Sequence, residues 1–470
     1  MKASKSLIKN YIYSLSYQIL IMIVPIVVTP YISRVLGAKQ IGHYSYSMSI
    51  VSYFNLIANL GISTYAQIGI ARIRDSKNKV SKFISEVLFC KLVCGGISAI
   101  LYIIYSILIK DLIAVELVLI PLSSILDISW LYQGIEDFKK ITIRNFIVKL
   151  SSVILIFIFV KKESDLFIYT LIMSVSLVIG NMCLWINIKK YLFNKISRNL
   201  FITHLRNSIT YFIPTISVTI YTILDKSMIG WFTKTSVENG LYEQAHKLEQ
   251  VIVTILTSMS VVLLPRMVYL SNKKNNDDIK KIINKCVEVV CFIGMPLTVG
   301  TFAIADVFIP VFLGTEFHKC IILLRIFSPL IFVVGLNNLI GMQCLMSRGK
   351  QKEYNVSVMV GAIIDFGLNI ILIPKWYSVG AAISSVLAEF IILVLFCYFG
   401  REVIDFVNMF KTLCIYLVVS LIMGIIVYKS QFYFTCNNIL KLMLMIFVGG
   451  IIYLLLAGLY YLKKYKKQMS

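Results

Sequence analysis

The sequence is short of charge. Only 15% of its 470 residues are Asp, Glu, Lys or Arg, and acidic residues are scarcest, 23 against 46 basic ones, for a net charge of +23. Soluble domains carry about 25% charged and about 45–50% apolar residues, whereas here 58% are hydrophobic and the mean hydropathy is +0.83. That shortage excludes an ordinary soluble enzyme, a secreted scaffold and a disordered chain, and leaves an integral membrane protein. At about 20 to 22 residues per span the length accommodates roughly fourteen helices with short loops. No separate soluble domain fits, so function lies within the membrane.

Other absences narrow the chemistry. The four histidines, His43, His204, His246 and His318, are scattered and assemble no zinc site. Ten cysteines show no Cys-x-x-Cys spacing; eight lie in apolar stretches and read as small buried hydrophobes, while Cys320 and Cys436 fall near outer ends. No Gly-x-x-x-x-Gly-Lys-Ser/Thr loop occurs, since Gly349-Lys350 is followed by Gln351, so neither ATP hydrolysis nor any cofactor is expected. Lys2, Lys5 and Lys9 precede an apolar run that lacks a small-residue cleavage site and reads as an uncleaved first span.

Apolar runs fall at residues 10–33, 44–68, 83–109, 112–134, 142–160 and 165–188. They resume at 208–232, 246–268, 284–305, 319–346, 355–374, 379–399, 411–429 and 439–462. The expected fold is an all-α integral membrane protein of about 14 transmembrane helices. About 31 Lys and Arg fall in the N-terminus and alternate loops and about 11 in the opposite loops, which predicts cytoplasmic termini. Topology and attraction to anionic inner-leaflet lipids account for most of the net charge, so no nucleic-acid partner is called for.

Ile41-Gly42-His43-Tyr44 opens the second run and Asn239-Gly240-Leu241-Tyr242 the eighth. The same offset of 198 residues roughly superposes the run beginning at Asn10 on that beginning at Asn207, an odd-to-odd match that gives both halves one orientation, a parallel repeat of six helices plus six. The expected division is an N-terminal lobe over residues 1–200, a C-terminal lobe over 201–403 and a final pair of spans over 404–470.

Several motifs then carry a resemblance. Pro30-Tyr31-Ile32-Ser33-Arg34-Val35-Leu36-Gly37-Ala38 with Ile41-Gly42-His43-Tyr44-Ser45-Tyr46 resembles the first hairpin of bacterial Wzx-type polysaccharide-unit flippases. Trp130-Leu131-Tyr132-Gln133-Gly134-Ile135-Glu136-Asp137-Phe138, Leu224-Asp225-Lys226-Ser227-Met228-Ile229-Gly230 and Leu263-Leu264-Pro265-Arg266 follow in that family's order over about the first 270 residues. One departure is that Ile68-Gly69 stands where related flippases often carry Arg-Glu, so any role of that pair does not transfer. The resemblance implies the multidrug/oligosaccharidyl-lipid/polysaccharide exporter fold, with two six-helix lobes around a central cavity. It also implies an undecaprenyl-diphosphate-linked oligosaccharide as substrate, flipped outward for capsule or other surface-polysaccharide assembly by alternating access. The polysaccharide polymerase machinery is a possible partner, and H+ or Na+ a possible coupling cation.

A sugar-diphosphate headgroup needs a wet, polar path, while its lipid tail can stay in the bilayer. Ionisable residues inside spans are costly and are the first candidates for that path. By rise per residue, Lys91 and Lys149 lie roughly 11 to 12 Å from the cytoplasmic side, Arg325 lies below the outer face, and Asp365 and Glu389 fall near the midplane. Arg34 either snorkels to the interface or lines the cavity; a guanidinium's fit to phosphate and the resemblance support the cavity. Asp225 and Lys226 point about 100° apart, so one is expected to face the cavity and the other to make a structural pair. The candidate substrate-binding set is Arg34, Lys91, Lys149, Asp225, Lys226 and Arg325, with Asp365 and Glu389 for a coupling ion; buried ion pairing is the alternative for each buried charge. Pro25, Pro214, Pro296 and Pro329 interrupt apolar runs and could permit kinks.

Alternatives are a teichoic-acid-unit flippase, a cation-coupled drug antiporter and a membrane-bound polymerase or ligase. An antiporter would have twelve spans and an acidic cavity, which two extra spans and Lys91 and Lys149 argue against. A polymerase or ligase would need a sizeable outer loop, and the longest polar stretches, 189–207 and 269–283, lie on the basic side.

Overall fold

A backbone N–H or C=O without a partner is costly in hydrocarbon, so a chain this apolar closes its hydrogen bonds within each segment. The computed structural model follows that rule: the described residues form helices and no strand. It describes the backbone of residues 2–192, 198, 200–233, 235–272, 276–434 and 436–469. Side chains are described over the same residues, apart from 2–19, 21, 213–221, 259–266, 268, 269, 272, 276 and 461–469. Lys2, Lys5, Lys9, Pro214 and the side chains of Leu263–Arg266 therefore lie outside the described residues.

Among the described residues fourteen helices follow in order. Gly37 (φ 71°, ψ 172°) divides the first long run into α1 (residues 2–36) and α2 (38–59), and α2 resumes over Ile62–Ile73 after a break. Then come α3 (Lys77–Ile109), α4 (Leu112–Gly134, in three short pieces), α5 (Phe138–Phe159) and α6 (Leu166–Cys183, drawn out as a 3-10 turn to Lys190). The second series is α7 (Phe201–Phe232), α8 (Val237–Asn272), α9 (Asn276–Phe312), α10 (Cys320–Asn338, then a π segment over Leu339–Leu345), α11 (Gln351–Trp376), α12 (Ser378–Gly400), α13 (Phe406–Tyr433) and α14 (Asn438–Met469). Among the described residues eleven segments are long and apolar enough to cross a membrane, and one of them, Met22–Ile73, spans the break at Gly37. Large apolar side chains such as Leu108 and Phe447 stand exposed on helix faces, as a lipid-facing surface requires. Pro25, Pro296 and Pro329 sit within continuous helices.

The chain divides into two compact units, residues 1–227 and 228–470, with the boundary inside α7. In the first, Ile62, Ile70, Val87, Trp130 and Tyr132 form the core. Three aromatic polar tips here find backbone acceptors: Trp130 Nε1 donates to Asp127 O (3.0 Å), Tyr132 OH to Leu184 O (2.6 Å) and Trp185 Nε1 to Leu126 O (2.7 Å). These bonds lock the pieces of α4 to one another and to α6. In the second unit α9 packs on α10, α13 and α14, and Val290, Leu336, Phe396, Tyr416 and Met423 fill the centre. All ten cysteines are free and most are buried; Cys183 departs from the expectation by facing outward from α6.

Two local devices fix these packings. Leu60 (φ 37°) and Gly61 (φ 74°) break α2 where α7 passes so closely that a Cβ on Gly61 would lie 2.3 Å from Ser208 O. At the basic-loop end of the second unit, Glu402 accepts from Arg348 Nη2 (2.6 Å) and Lys350 Nζ (2.9 Å), tying the end of α10 to the loop after α12.

Gly61→Ala is expected to destabilise the fold by about 2 kcal/mol or more, read as a lowered Tm in detergent, because strain and overlap fall on backbone atoms. Hydrogen bonds from Lys350 and Arg348 hold the Glu402 carboxyl at about 2, below its usual 4.5. A depressed carboxyl contributes stability above its unfolded value and loses it as pH falls through the folded one. The stability difference between wild type and Glu402→Gln is thus expected to be flat above pH 5 and to vanish between about pH 4.5 and 2. Since Glu402 is half exposed, that difference stays under about 1 kcal/mol.

Candidate functional site

The charges inside the helices separate into groups with different surroundings. Lys91, on α3, is wholly enclosed: Nζ donates to Asn59 Oδ1 (2.9 Å) and to Ser124 O (3.0 Å), with the opposing charge of Asp127 within electrostatic reach. Three elements, α2, α3 and α4, are tied through that one amine. Arg34 is exposed near the Gly37 break, and Lys149 is half-buried on α5. Asp225 on α7 is buried and acts electrostatically on Tyr53 of α2, while Lys226 is half-buried. The following residue, Ser227, donates to Ser49 Oγ (3.0 Å) and Tyr53 OH (3.1 Å), so the Asp225–Ser227 turn is seated on α2.

A second buried chain in the same unit was not singled out from the sequence. Tyr65 OH bonds His204 Nδ1 (2.8 Å), and His204 Nε2 bonds Glu86 Oε2 (3.0 Å), joining α2, α7 and α3. At the opposite end His43 Nε2 lies 2.7 Å from Asp111 Oδ2, which caps the start of α4. Burial would push the Asp111 carboxyl up, but the contact with His43 and backbone N–H groups of Ile113 and Ala114 outweighs it and holds it below the usual range.

In the second unit Arg325 Nη2 pairs with Asp306 Oδ2 at 2.5 Å and its guanidinium covers the Phe302 ring, an α9–α10 tie. Glu389 on α12 accepts from Asn337 Nδ2 (2.6 Å), just before the π segment of α10. Glu249 of α8 is buried within electrostatic reach of Glu389, and His246 lies one turn back, 4.0 Å from it. Asp365 and Asn369 of α11, both fully buried, bond each other at 3.1 Å. The structure thus joins Glu389 to Glu249, His246 and Asn337, and Asp365 to Asn369. Glu86 and Glu249 are legible by the rule that marks Lys91, since ionisable residues within spans are costly; Glu86 shares its helix with Lys91, and Glu249 lies close to the start of its apolar run.

Two cavities lie among the described residues. An apolar one of about 390 Å³ opens between α9, α13 and α14, lined by Pro296, Gly300, Met423, Gly449, Gly450 and Tyr453. A polar one of about 630 Å³ sits at the basic-loop end of the first unit, where α2, α4 and α6 end and α3 begins.

The described residues form apolar helices with charges tied together inside them, the architecture of a multi-pass membrane protein. The fold matches solved structures of that class: the lipid II flippase MurJ in an inward closed conformation has a TM-score of 0.77 at 15% identity, over 97% of this chain and 100% of that one. An inward-facing multidrug MATE transporter has a TM-score of 0.64 at 11% identity, over 85% and 98%. The polysaccharide biosynthesis protein family model matches residues 7–271, and the chain belongs to that family. Relatives include a putative O-antigen transporter of Escherichia coli K12, 25% identical over 84% of this chain and 97% of its own length. The capsular polysaccharide biosynthesis protein CapF of Staphylococcus aureus is 23% identical over 84% and 100%. The protein is a transporter rather than an enzyme.

Lys91→Ala is expected to cost about 2–4 kcal/mol, because it opens a cavity and strips partners from Asn59 and Ser124. Arg34→Ala, at an exposed position, is expected to stay within about 0.5 kcal/mol. Thermal unfolding of the two variants in detergent separates the roles.

Proposed function

We propose that the protein flips undecaprenyl-diphosphate-linked oligosaccharide units from the cytoplasmic to the outer face of a bacterial plasma membrane, for capsule or another surface polysaccharide. Membership of the polysaccharide biosynthesis protein family over more than half the chain carries this reading, and the likeness to a lipid II flippase fold over nearly the whole chain supports it. Both termini are assigned to the cytoplasm on the charge asymmetry of the loops.

In this account Arg34, Lys226 and Lys149, which keep part of their surface open, meet the diphosphate. Asp225 orients its turn, and Lys91 and Arg325 hold helices together through the contacts described above. The polyprenyl tail occupies the apolar cavity between α9, α13 and α14, whose glycines leave a smooth wall. Asp365 and Glu389 would take a coupling H+ or Na+ within their buried clusters. An inside-negative potential supplies about 2.3 kcal/mol per uncompensated negative charge per 100 mV toward outward movement, so voltage alone assists export of a diphosphate.

Purified protein in liposomes with fluorescent undecaprenyl-diphosphate oligosaccharide on one leaflet, under an imposed potential, tests the assignment. Wild type is expected to exchange the probe between leaflets. Arg34→Ala and Lys226→Ala are expected to slow exchange about tenfold or more at unchanged Tm, the scale of a lost charge-assisted hydrogen bond. Gly450→Phe, at a position where an added Cβ meets no atom within 4 Å, is expected to slow it by filling the tail cavity. Wild-type rates in all three variants would remove these residues from the path.

A further inference from the structure

The polar cavity at the basic-loop end of the first unit has no part in the path just described. It is lined by Arg74, Lys77, Lys190, Glu136, Asp137 and Tyr191, among others. Its volume, about 630 Å³, is within the range of small-molecule sites. Glu136 pairs with Arg74 at 2.7 Å, and Asp137 with Lys140 at 2.9 Å. Lys140 in turn lies over the Tyr132 and Tyr191 rings, 4.8 and 5.5 Å from their centroids. Lys77 and Lys190 make no ion pair or hydrogen bond among the described residues.

The wall of this cavity is the end of α4, which closes on α2 and stops in a left-handed turn. Gly134 lets α4 close on α2, since a Cβ would lie 2.8 Å from the Ile70 side chain and 2.9 Å from Gln67 O. The helix then ends in a Schellman motif: Asp137 N bonds Tyr132 O (2.8 Å) and Glu136 N bonds Gln133 O (3.1 Å), with Glu136 left-handed at φ 61°. Glycine is the ordinary residue at that position because a Cβ is strained there. The chain instead places a carboxylate in the strained conformation, and that carboxylate aligns Arg74 at the cavity. Observed strain of this kind points to function.

We infer that this cavity is a binding site for a phosphate-bearing, hydroxyl-rich headgroup. Lys77 and Lys190 take the phosphate oxygens. Arg74, oriented by Glu136, offers a planar donor edge. The outer oxygens of Glu136 and Asp137 accept hydroxyls, and Tyr191, braced by Lys140, offers a ring on which a sugar packs. Two sources share that chemistry: the headgroup of the lipid-linked oligosaccharide, which would dock here before entering the lobe, and a glycerophospholipid headgroup of the inner leaflet. The first source rests on the flippase reading; the site itself does not.

The test measures binding by full-length protein in nanodiscs. One probe is a short-chain polyprenyl diphosphate carrying a disaccharide, one the same lipid diphosphate without sugar, and a third set of nanodiscs contains phosphatidylglycerol as competitor. The double variant Lys77→Gln/Lys190→Gln is expected to bind both diphosphates about tenfold or more weakly, at wild-type Tm, since both side chains are exposed. Glu136→Gly, which relieves the backbone and removes the carboxylate, is expected to keep or raise Tm while losing the preference for the sugar-bearing probe. Displacement of the probes by phosphatidylglycerol would assign the site to phospholipid, and lack of displacement to the substrate headgroup. Wild-type affinity in the double variant, or wild-type sugar preference in Glu136→Gly, would overturn the site. Failure of the flippase reading would show elsewhere, as absent leaflet exchange by the unmodified protein, and would leave these binding differences standing.

Discussion

Removing a charge or a backbone dipole from water into hydrocarbon costs more than most single contacts return, and this desolvation penalty governs the whole molecule. It forces a continuous series of helices, with breaks where glycine or a bound polar partner permits them. Gly37 and Gly61 break the first two helices, and the second break is also where α7 approaches most closely. The same penalty explains why intramembrane charges occur as assemblies. Lys91 draws on an amide oxygen and a carbonyl from two other helices, His204 on a tyrosine and a glutamate, and Arg325 on an aspartate and a ring. Each assembly fixes helix positions as it satisfies a polar group.

A transporter has to combine such ties with charges that remain available to cargo. Arg34, Lys226 and Lys149 keep part of their surface, and Lys77 and Lys190 stand at the rim of the polar cavity. Under the proposed function, exposure rather than position along a span distinguishes the contact residues from the braces. In the proposed cycle, the diphosphate exchanges hydration for these cations, while the tail follows an apolar surface and need not be desolvated at all.

Much of the fold was legible because it rests on one-dimensional signals. Apolar run length marked the helices. The structure lengthens several helices, and carries α2 to Ile73 through a break that hydropathy does not register. Site residues were less legible, since cost of burial marks every intramembrane charge alike. Lys91 and Arg34 look equivalent in sequence, yet one is enclosed by Asn59 and Ser124, residues distant along the chain, and the other is open. The Glu86–His204–Tyr65 chain and the Glu249–Glu389 pair are likewise long-range products of packing. The Trp130–Phe138 motif was visible as a pattern, but its consequence, a glutamate where the backbone asks for glycine, exists only in φ and ψ.

The central claim is that the cargo is an anionic lipid-linked headgroup. Liposomes containing the wild-type protein, loaded in parallel with undecaprenyl-diphosphate oligosaccharide on one leaflet and a fluorescent organic cation in the lumen, test it most directly. The account predicts leaflet exchange of the oligosaccharide lipid, accelerated by a potential that favours anion movement, with the cation retained. Extrusion of the cation without any lipid exchange would contradict it and assign the fold to drug transport.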